Sequence, residues 1–232
     1  MKTTKLSVAA LFIAAMFLVS GCSSMNNTGK GALFGGGGGA LLGAGIGALA
    51  GGSKGAAIGS AIGAGVGAGT GALIGNRMDK KQAEIAEKVK DAEVEQVTDN
   101  NGLQAIKVTF SDGILFGFNS TALSTQSQIA LAQFAGEISG EPGLDITIYG
   151  NTDNKGTHEV NERVSLQRAQ AVQNFLLGKG IPSGRIITVK GLAYDNPVAT
   201  NDTDEGRAKN RRVEIFLTAN EHMVQQAESG NL

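Results

Sequence analysis

Glycine occupies every fourth position from residue 31 to residue 75. In a helix, residues four apart lie on one face, so this spacing leaves a groove without side chains along which a second helix can pack closely. The residues between the glycines are mainly aliphatic, and residues 51–54 have the composition of a turn. We therefore interpret residues 31–76 as a glycine-zipper helical hairpin that associates with a membrane. A flexible glycine linker is the alternative, although linkers are usually rich in serine rather than in aliphatic residues.

The residues before the zipper have the pattern of an export signal. Residues 1–21 combine two lysines with an apolar run that is short for a bilayer span, as in a signal peptide. Cys22, the single cysteine of the chain, ends a Val-Ser-Gly-Cys stretch that resembles the bacterial lipidation motif. We expect lipidation of Cys22 and a lipidated N-terminal tether over residues 22–30. Ser23 stands where lipoproteins retained at the inner membrane tend to carry aspartate, which is compatible with the outer membrane.

The composition changes abruptly after the zipper. Residues 77–95 are charged and rich in helix formers, which predicts a solvated helical spacer. Over residues 96–219, apolar runs with strand spacing alternate with runs of helical spacing, which predicts one α+β domain with helices on one face of an open sheet. Residues 220–232 are polar and are predicted to form a loose tail. Within the domain the pattern predicts a turn at residues 99–102, helices over 124–139, 158–177 and 205–211, and strands over 144–149, 185–189 and 213–218.

One loop and the helix after it carry the residues with the most distinctive chemistry. Asp153 lies among turn formers, and Asn161, Ser165 and Arg168 fall on one face of a helix that is predicted to begin near Thr157. A loop carboxylate and a helix guanidinium that face one cavity would suit a zwitterion, which carries both opposite charges. An aspartate that only closes its turn and an arginine that is only solvated are the alternative.

The stretch from residue 152 to residue 169 resembles the signature of the OmpA-like C-terminal domain family. It has Thr-Asp, Gly, Asn, Val-Ser and Arg-Ala in the family's order, and a second matching group ends in Asn-Arg-Arg-Val-Glu at residues 210–214. The resemblance implies a β-α-β-α-β sandwich with helices on one face of a mixed sheet, here preceded by the glycine-zipper hairpin. It also implies that residues 114–120 form the opening strand and its turn.

The ligand implied by this resemblance is the diaminopimelate of the peptidoglycan stem peptide. Asp153 would bind the ammonium of that zwitterion, while Arg168 and Arg211 would bind its carboxylate. Asn161 would line the same cavity. Asn119 would line it as well, or else would serve only as a turn or cap residue. Arg212, beside Arg211, is expected to form a structural ion pair instead.

These expectations combine into an outer-membrane lipoprotein whose C-terminal domain lies in the periplasm and binds peptidoglycan, tethering the membrane to the cell wall. A glycine-zipper oligomer or pore that uses the OmpA-like domain as its anchor is the alternative, and a homo-oligomer is compatible with either. With a formal charge of −1, the chain has no basic footprint for nucleic acid. One cysteine and two distant histidines predict no metal site, and no catalytic residues or cofactor are expected, so the protein is not expected to be an enzyme.

Overall fold

The computed structural model describes residues 68–98, 104–116 and 120–232. Its elements are helix α1 (Ala68–Lys88), strands β1 (Glu93–Thr98) and β2 (Gln104–Ser111), helices α2 (Asp112–Leu115) and α3 (Thr125–Ser139), strand β3 (Leu144–Asn151), helix α4 (His158–Gly178), a 3-10 turn (Ser183–Arg185), strand β4 (Ile186–Gly191), helix α5 (Asp204–Asn210), strand β5 (Arg212–Ala219) and helix α6 (Glu221–Glu228).

The strands of these residues form one mixed sheet in the order β1-β2-β5-β3-β4. β3 and β4 are parallel and are joined by α4, whereas the other neighbouring strands are antiparallel. Thr98 pairs with Gln104, so β1 and β2 are antiparallel neighbours on either side of the turn predicted at residues 99–102, which lies outside the described part of the chain. The fold is therefore the α+β mixed sheet with packed helices that the sequence predicted.

The main core lies between the sheet and helices α1, α3 and α4. Because side chains alternate along a strand, every second residue of the central strands points into it. Phe110 of β2 meets Phe134 of α3 edge to face, with ring centroids 6.2 Å apart, and both side chains are fully buried. The buried residues of this core that come from the three central strands are Ile106, Val108, Phe110, Leu144, Ile146, Ile148, Val213, Ile215, Leu217 and Ala219.

Hydroxyl side chains cap the N-termini of helices α3, α4 and α5. The side chains of Ser124, Thr157 and Thr203 each accept a hydrogen bond from the backbone N–H three residues later. Such a bond satisfies one of the donors that a helix start leaves without an intrahelical partner. The predicted starts of α3 and α4 are confirmed.

The sequence predicted a solvated helical spacer over residues 77–95. A helix is present as far as Lys88, but it packs on the core and is not a solvated spacer. Helix α1 crosses the expected boundary between zipper and spacer, and its residues Ile74, Met78 and Ile85 are buried in the core. Arg77 also binds the Glu141 carboxylate at 2.7 Å. The apolar face was not recognised among the charged residues, because a helix needs only about one apolar residue in three or four to form such a face.

The structure also departs from the expected strand over residues 114–120 and the expected loose tail over 220–232. Residues 112–115 form the single turn α2, and among the described residues of the range 114–120 only Phe116 makes a β-bridge, with Leu123. In the tail, Asn220 caps helix α6, and Met223, Val224 and Ala227 are buried against the core. A short amphipathic helix of this kind needs only three apolar residues on one face, which a polar average composition conceals.

Several predictions fall outside the described residues: the signal peptide, the tether with Cys22, most of the zipper, and Asn119. Of the zipper, only residues 68–76 are described, and they form the first turns of α1. Within residues 68–98, 104–116 and 120–232, no helix combines the length and the apolar character that a membrane crossing requires.

Candidate functional site

Helix α4 lies unusually close to the sheet, and two glycines permit this. A Cβ atom added to Gly150 of β3 would stand 2.0 Å from the carbonyl oxygen of Ser165. One added to Gly191 of β4 would stand 2.4 Å from the backbone nitrogen of Leu166. Since α4 carries Arg168, these close approaches determine where that guanidinium sits relative to the ends of the strands.

The loop between β3 and α4 is held by its own polar groups. The Asp153 carboxylate accepts a hydrogen bond from the backbone N–H of Lys155 at 2.9 Å. The Asn161 amide donates to the carbonyls of Lys155, at 2.9 Å, and Thr157, at 3.1 Å. Gly156 has φ +91°, a conformation that side-chain-bearing residues rarely adopt. Local hydrogen bonds therefore close the turn at Asp153 and hold the loop over Asn161.

Four charged side chains meet beside this loop. Arg211 Nη1 donates to Asp153 Oδ2 at 2.7 Å, and Arg211 Nε lies 3.4 Å from Asp112 Oδ2. Arg168 Nη2 lies 2.9 Å from the other oxygen of Asp112. The contacts therefore connect Asp153, Arg211, Asp112 and Arg168 in that order. We call these four residues the charge cluster; its formal charge is zero, from two carboxylates and two guanidiniums.

Arg168 is nearly enclosed by its surroundings. Its side chain is 7% exposed, its Nε donates to the Ser120 carbonyl at 3.3 Å, and its guanidinium carbon lies 5.0 Å from the centre of the Phe116 ring. Burial lowers the pKa of Arg168, and the Asp112 carboxylate opposes that effect. An arginine stays charged at neutral pH even so, which means that the cluster holds a buried positive charge.

Asp112 is a member of the cluster that the sequence analysis did not single out. Strand β2 ends at Ser111, which pairs with Arg212 of β5, and the Asp112 N–H donates to the Arg211 carbonyl at 2.9 Å. The pairing of two strands that are distant in the chain therefore sets Asp112 beside Arg211. The available signal was a lone carboxylate directly after a run with strand-like spacing, which is too common to indicate a site by itself.

Burial dominates the electrostatics of Asp112. It raises the pKa of this carboxyl above the usual range for aspartate, and the nearby guanidiniums of Arg168 and Arg211 lower it only in part. The Asp153 carboxylate adds a smaller upward effect. Although Arg168 lies within ion-pair distance, Asp112 Oδ1 accepts no hydrogen bond from any described residue.

Three of the predicted site residues, Asp153, Arg168 and Arg211, belong to the charge cluster. Within it, Asp153 contacts Arg211 and makes no direct contact with Arg168. Asn161 donates its amide to the loop, so its visible role is to hold Asp153's loop in place. Ser165 likewise donates to the Glu162 carbonyl and accepts from the Ala193 N–H.

Two further polar residues support the neighbouring backbone. Arg212 pairs with Glu214 at 2.9 Å, which confirms the structural ion pair expected for it. Asn210 is fully buried, and its amide bonds the backbone of Val198 and Ala199, which pins the loop after β4. Over the described part of the chain, no group of three or more histidine, cysteine, aspartate or glutamate side chains is placed to hold a metal ion.

A mixed sheet covered by helices, with paired carboxylates and guanidiniums where α4 meets the strand ends, defines a small binding domain of the α+β class. Residues 115–211 match the model of the OmpA family, and residues 1–79 match the YMGG-like Gly-zipper model. The chain thus carries an OmpA-like domain preceded by a YMGG-like Gly-zipper segment.

Two sequence relatives and one solved structure extend this result. The peptidoglycan-binding protein ArfA of Mycobacterium tuberculosis is 40% identical over 113 residues, which are 49% of this chain and 34% of ArfA. The lipoprotein YiaD of Escherichia coli is 35% identical over 145 residues, 62% of this chain and 64% of YiaD. The chain therefore covers less than two thirds of either relative. The crystal structure of a MotB-like protein from Desulfovibrio vulgaris superimposes with a TM-score of 0.54 at 26% identity, covering 63% of this chain and 91% of the other.

Proposed function

We propose that this protein binds peptidoglycan through the charge cluster, and that the group recognised is the ammonium–carboxylate end of diaminopimelate in the stem peptide. The observation that carries the proposal is the cluster itself, in which carboxylates and guanidiniums alternate beside a bonded loop. Support comes from ArfA, which is described as peptidoglycan-binding and shares the matching stretch.

The chemistry of the cluster fits an amino-acid head group. A guanidinium binds a carboxylate with two parallel hydrogen bonds, which a lysine ammonium does not reproduce. Arg211, whose side chain is 35% exposed, is the more accessible of the two guanidiniums. In this proposal Asp153 accepts from the ligand's ammonium, while Arg211 and Arg168 bind its carboxylate. Because both partners are neutral overall, the complex buries no net charge.

Co-sedimentation with purified sacculi tests the proposal. We expect the wild-type protein to sediment with sacculi, and Asp153→Asn and Arg168→Lys to remain in the supernatant. Both variants keep a side chain of similar size, so the loop and helix are preserved. Arg168→Ala is a poorer probe, since it leaves Asp112 without its buried partner.

The matched control is Arg163→Gln. Arg163 is exposed on the same helix, one turn before the cluster, so this variant loses a positive charge without touching the site. We expect it to sediment like the wild type. If the Asp153 and Arg168 variants show wild-type unfolding transitions and still sediment with sacculi to the same extent as the wild type, the assignment of the site is refuted.

We further propose that the N-terminal part holds the outer membrane, so that the protein bridges membrane and wall from the periplasmic side. The support is the lipidation motif ending at Cys22, the zipper match over residues 1–79, and the similarity to the lipoprotein YiaD. Replacing Cys22 with alanine tests the lipid anchor. We expect loss of incorporated palmitate and a shift of the protein away from the outer-membrane fraction; unchanged palmitate labelling would contradict it.

A further inference from the structure

Asp112 occupies the centre of the charge cluster. One of its oxygens lies 2.9 Å from Arg168 Nη2 and the other lies 3.4 Å from Arg211 Nε. It is thus the one member of the cluster that contacts both guanidiniums. Its position is fixed by backbone pairing at the end of β2 and not by a mobile loop.

The charge of the cluster depends on this residue. With Asp153 as the only carboxylate, the two arginines would leave a formal charge of +1, which favours any anion of suitable size. Asp112 cancels the second guanidinium. A carboxylate ligand without an ammonium would then add an uncompensated negative charge to a partly buried neutral site, whereas a zwitterion would not.

The hydrogen bonding of Asp112 is also incomplete. Its Oδ1 atom is buried and lies within ion-pair distance of Arg168, but it receives no well-aligned hydrogen bond from the described residues. A ligand ammonium carries three N–H donors and can satisfy this oxygen, whereas a methylene at the same place cannot. The charge argument and the hydrogen-bonding argument point to the same preference, because both favour an ammonium beside the ligand's carboxylate.

We propose that Asp112 is a specificity-determining residue, which makes the site select an amino-acid head group over a plain carboxylate. This inference rests on the proposed function. It adds a residue that lies outside the sequence signature, and it gives a physical reason for selectivity. Asp112 need not increase the total affinity; its effect lies in the ratio between two ligands.

The experiment compares diaminopimelate with pimelate, which has the same seven-carbon dicarboxylate chain and no amino groups. Binding of each to the full-length protein in detergent is measured by calorimetry. We expect the wild type to prefer diaminopimelate by about tenfold or more, as expected when a like-charge penalty separates two ligands. In Asp112→Asn we expect this preference to shrink to about threefold or less, mainly through tighter pimelate binding.

Three variants make the result specific. Asp112→Glu keeps the charge and is expected to restore most of the preference. Glu228→Gln removes one negative charge from an exposed position of helix α6, which follows the far end of β5, and is expected to leave the preference unchanged. If Asp112→Asn does not fold, Arg211→Gln tests the charge argument from the opposite side. It gives the cluster a formal charge of −1 and removes a carboxylate contact that both ligands share, so we expect both to bind more weakly and the preference for diaminopimelate to exceed that of the wild type. An unchanged preference would contradict the inference.

The possible outcomes separate this inference from the proposed function. A wild type that binds diaminopimelate and sacculi, together with an unchanged ligand ratio in folded Asp112→Asn, overturns the role of Asp112 and leaves peptidoglycan binding intact. A wild type that binds neither diaminopimelate nor sacculi overturns both. A reduced ratio in Asp112→Asn that Asp112→Glu restores supports the inference.

Discussion

Replacing Gly150 by alanine should disturb both the fold and the charge cluster. The added methyl would stand 2.0 Å from the Ser165 carbonyl oxygen and 2.8 Å from its carbonyl carbon. Real Cβ contacts are essentially never shorter than 3.0 Å, so helix and strand must separate by about 1 Å. The obstacle is backbone on both sides, which means that no side-chain rotation relieves it.

The expected cost follows from this geometry. Overpacking a core by a methyl group usually costs about 1–3 kcal/mol, and we expect Gly150→Ala to reach about 3 kcal/mol because the backbone of a long helix must move. For a domain of this size that corresponds to a fall of about 6–12 °C in the melting temperature. Arg168 lies three residues after Ser165 on the same helix, so the shift should also weaken sacculus binding.

The matched control is Gly136→Ala in helix α3. Gly136 is exposed within the helix, and an added Cβ meets nothing within 4 Å. There alanine removes a helix penalty, and we expect a gain of about 0.5–1 kcal/mol. Urea denaturation of both variants, followed by circular dichroism, measures the two changes.

Opposite signs for the two glycine variants are the critical result. If Gly150→Ala were as stable as the wild type, the close approach of α4 to β3 would not exist in the protein. The argument that Gly150 determines the position of Arg168 would fall with it. A loss of stability with unchanged sacculus binding would refute only the second part.

Three more predictions follow from buried polar groups. Asn210→Ala should lower the free energy of unfolding by about 2–4 kcal/mol, because it leaves backbone groups of the loop after β4 without hydrogen-bond partners. Urea denaturation tests this, and a loss smaller than the error of the method contradicts it. Arg185→Ala should cost about 2–3 kcal/mol, since its guanidinium donates to the Leu144 and Ile138 carbonyls at 2.8 Å each; Arg163→Gln serves as the neutral control. The raised folded-state pKa of Asp112 means that this carboxyl adds stability at low pH that is lost as pH rises through that pKa. The stability of Asp112→Asn relative to the wild type should therefore improve from about pH 3 to about pH 7, and a pH-independent difference would exclude the raised pKa.

Local sequence patterns determined most of the secondary structure. Hydroxyl caps at Ser124 and Thr157, turn formers around Asp153 and the alternating apolar strands are all short-range signals, because each depends on residues within a turn or two of one another. The polar face of α4, with Asn161 and Arg168, was readable from helical spacing. The contacts that this face makes could not be read from the spacing: in the structure, the Asn161 amide donates to a carbonyl of its own loop.

Only the tertiary structure decided how the charges combine. Asp153 and Arg168 were expected to face one cavity. In the structure they are linked through Arg211 and Asp112, which come from the far end and the beginning of the domain. Asp112 meets Arg211 because β2 pairs with β5, and a register between strands separated by about a hundred residues has no local signature. The sequence by itself therefore determined which residue types the site contains, and strand pairing determined which charges share it.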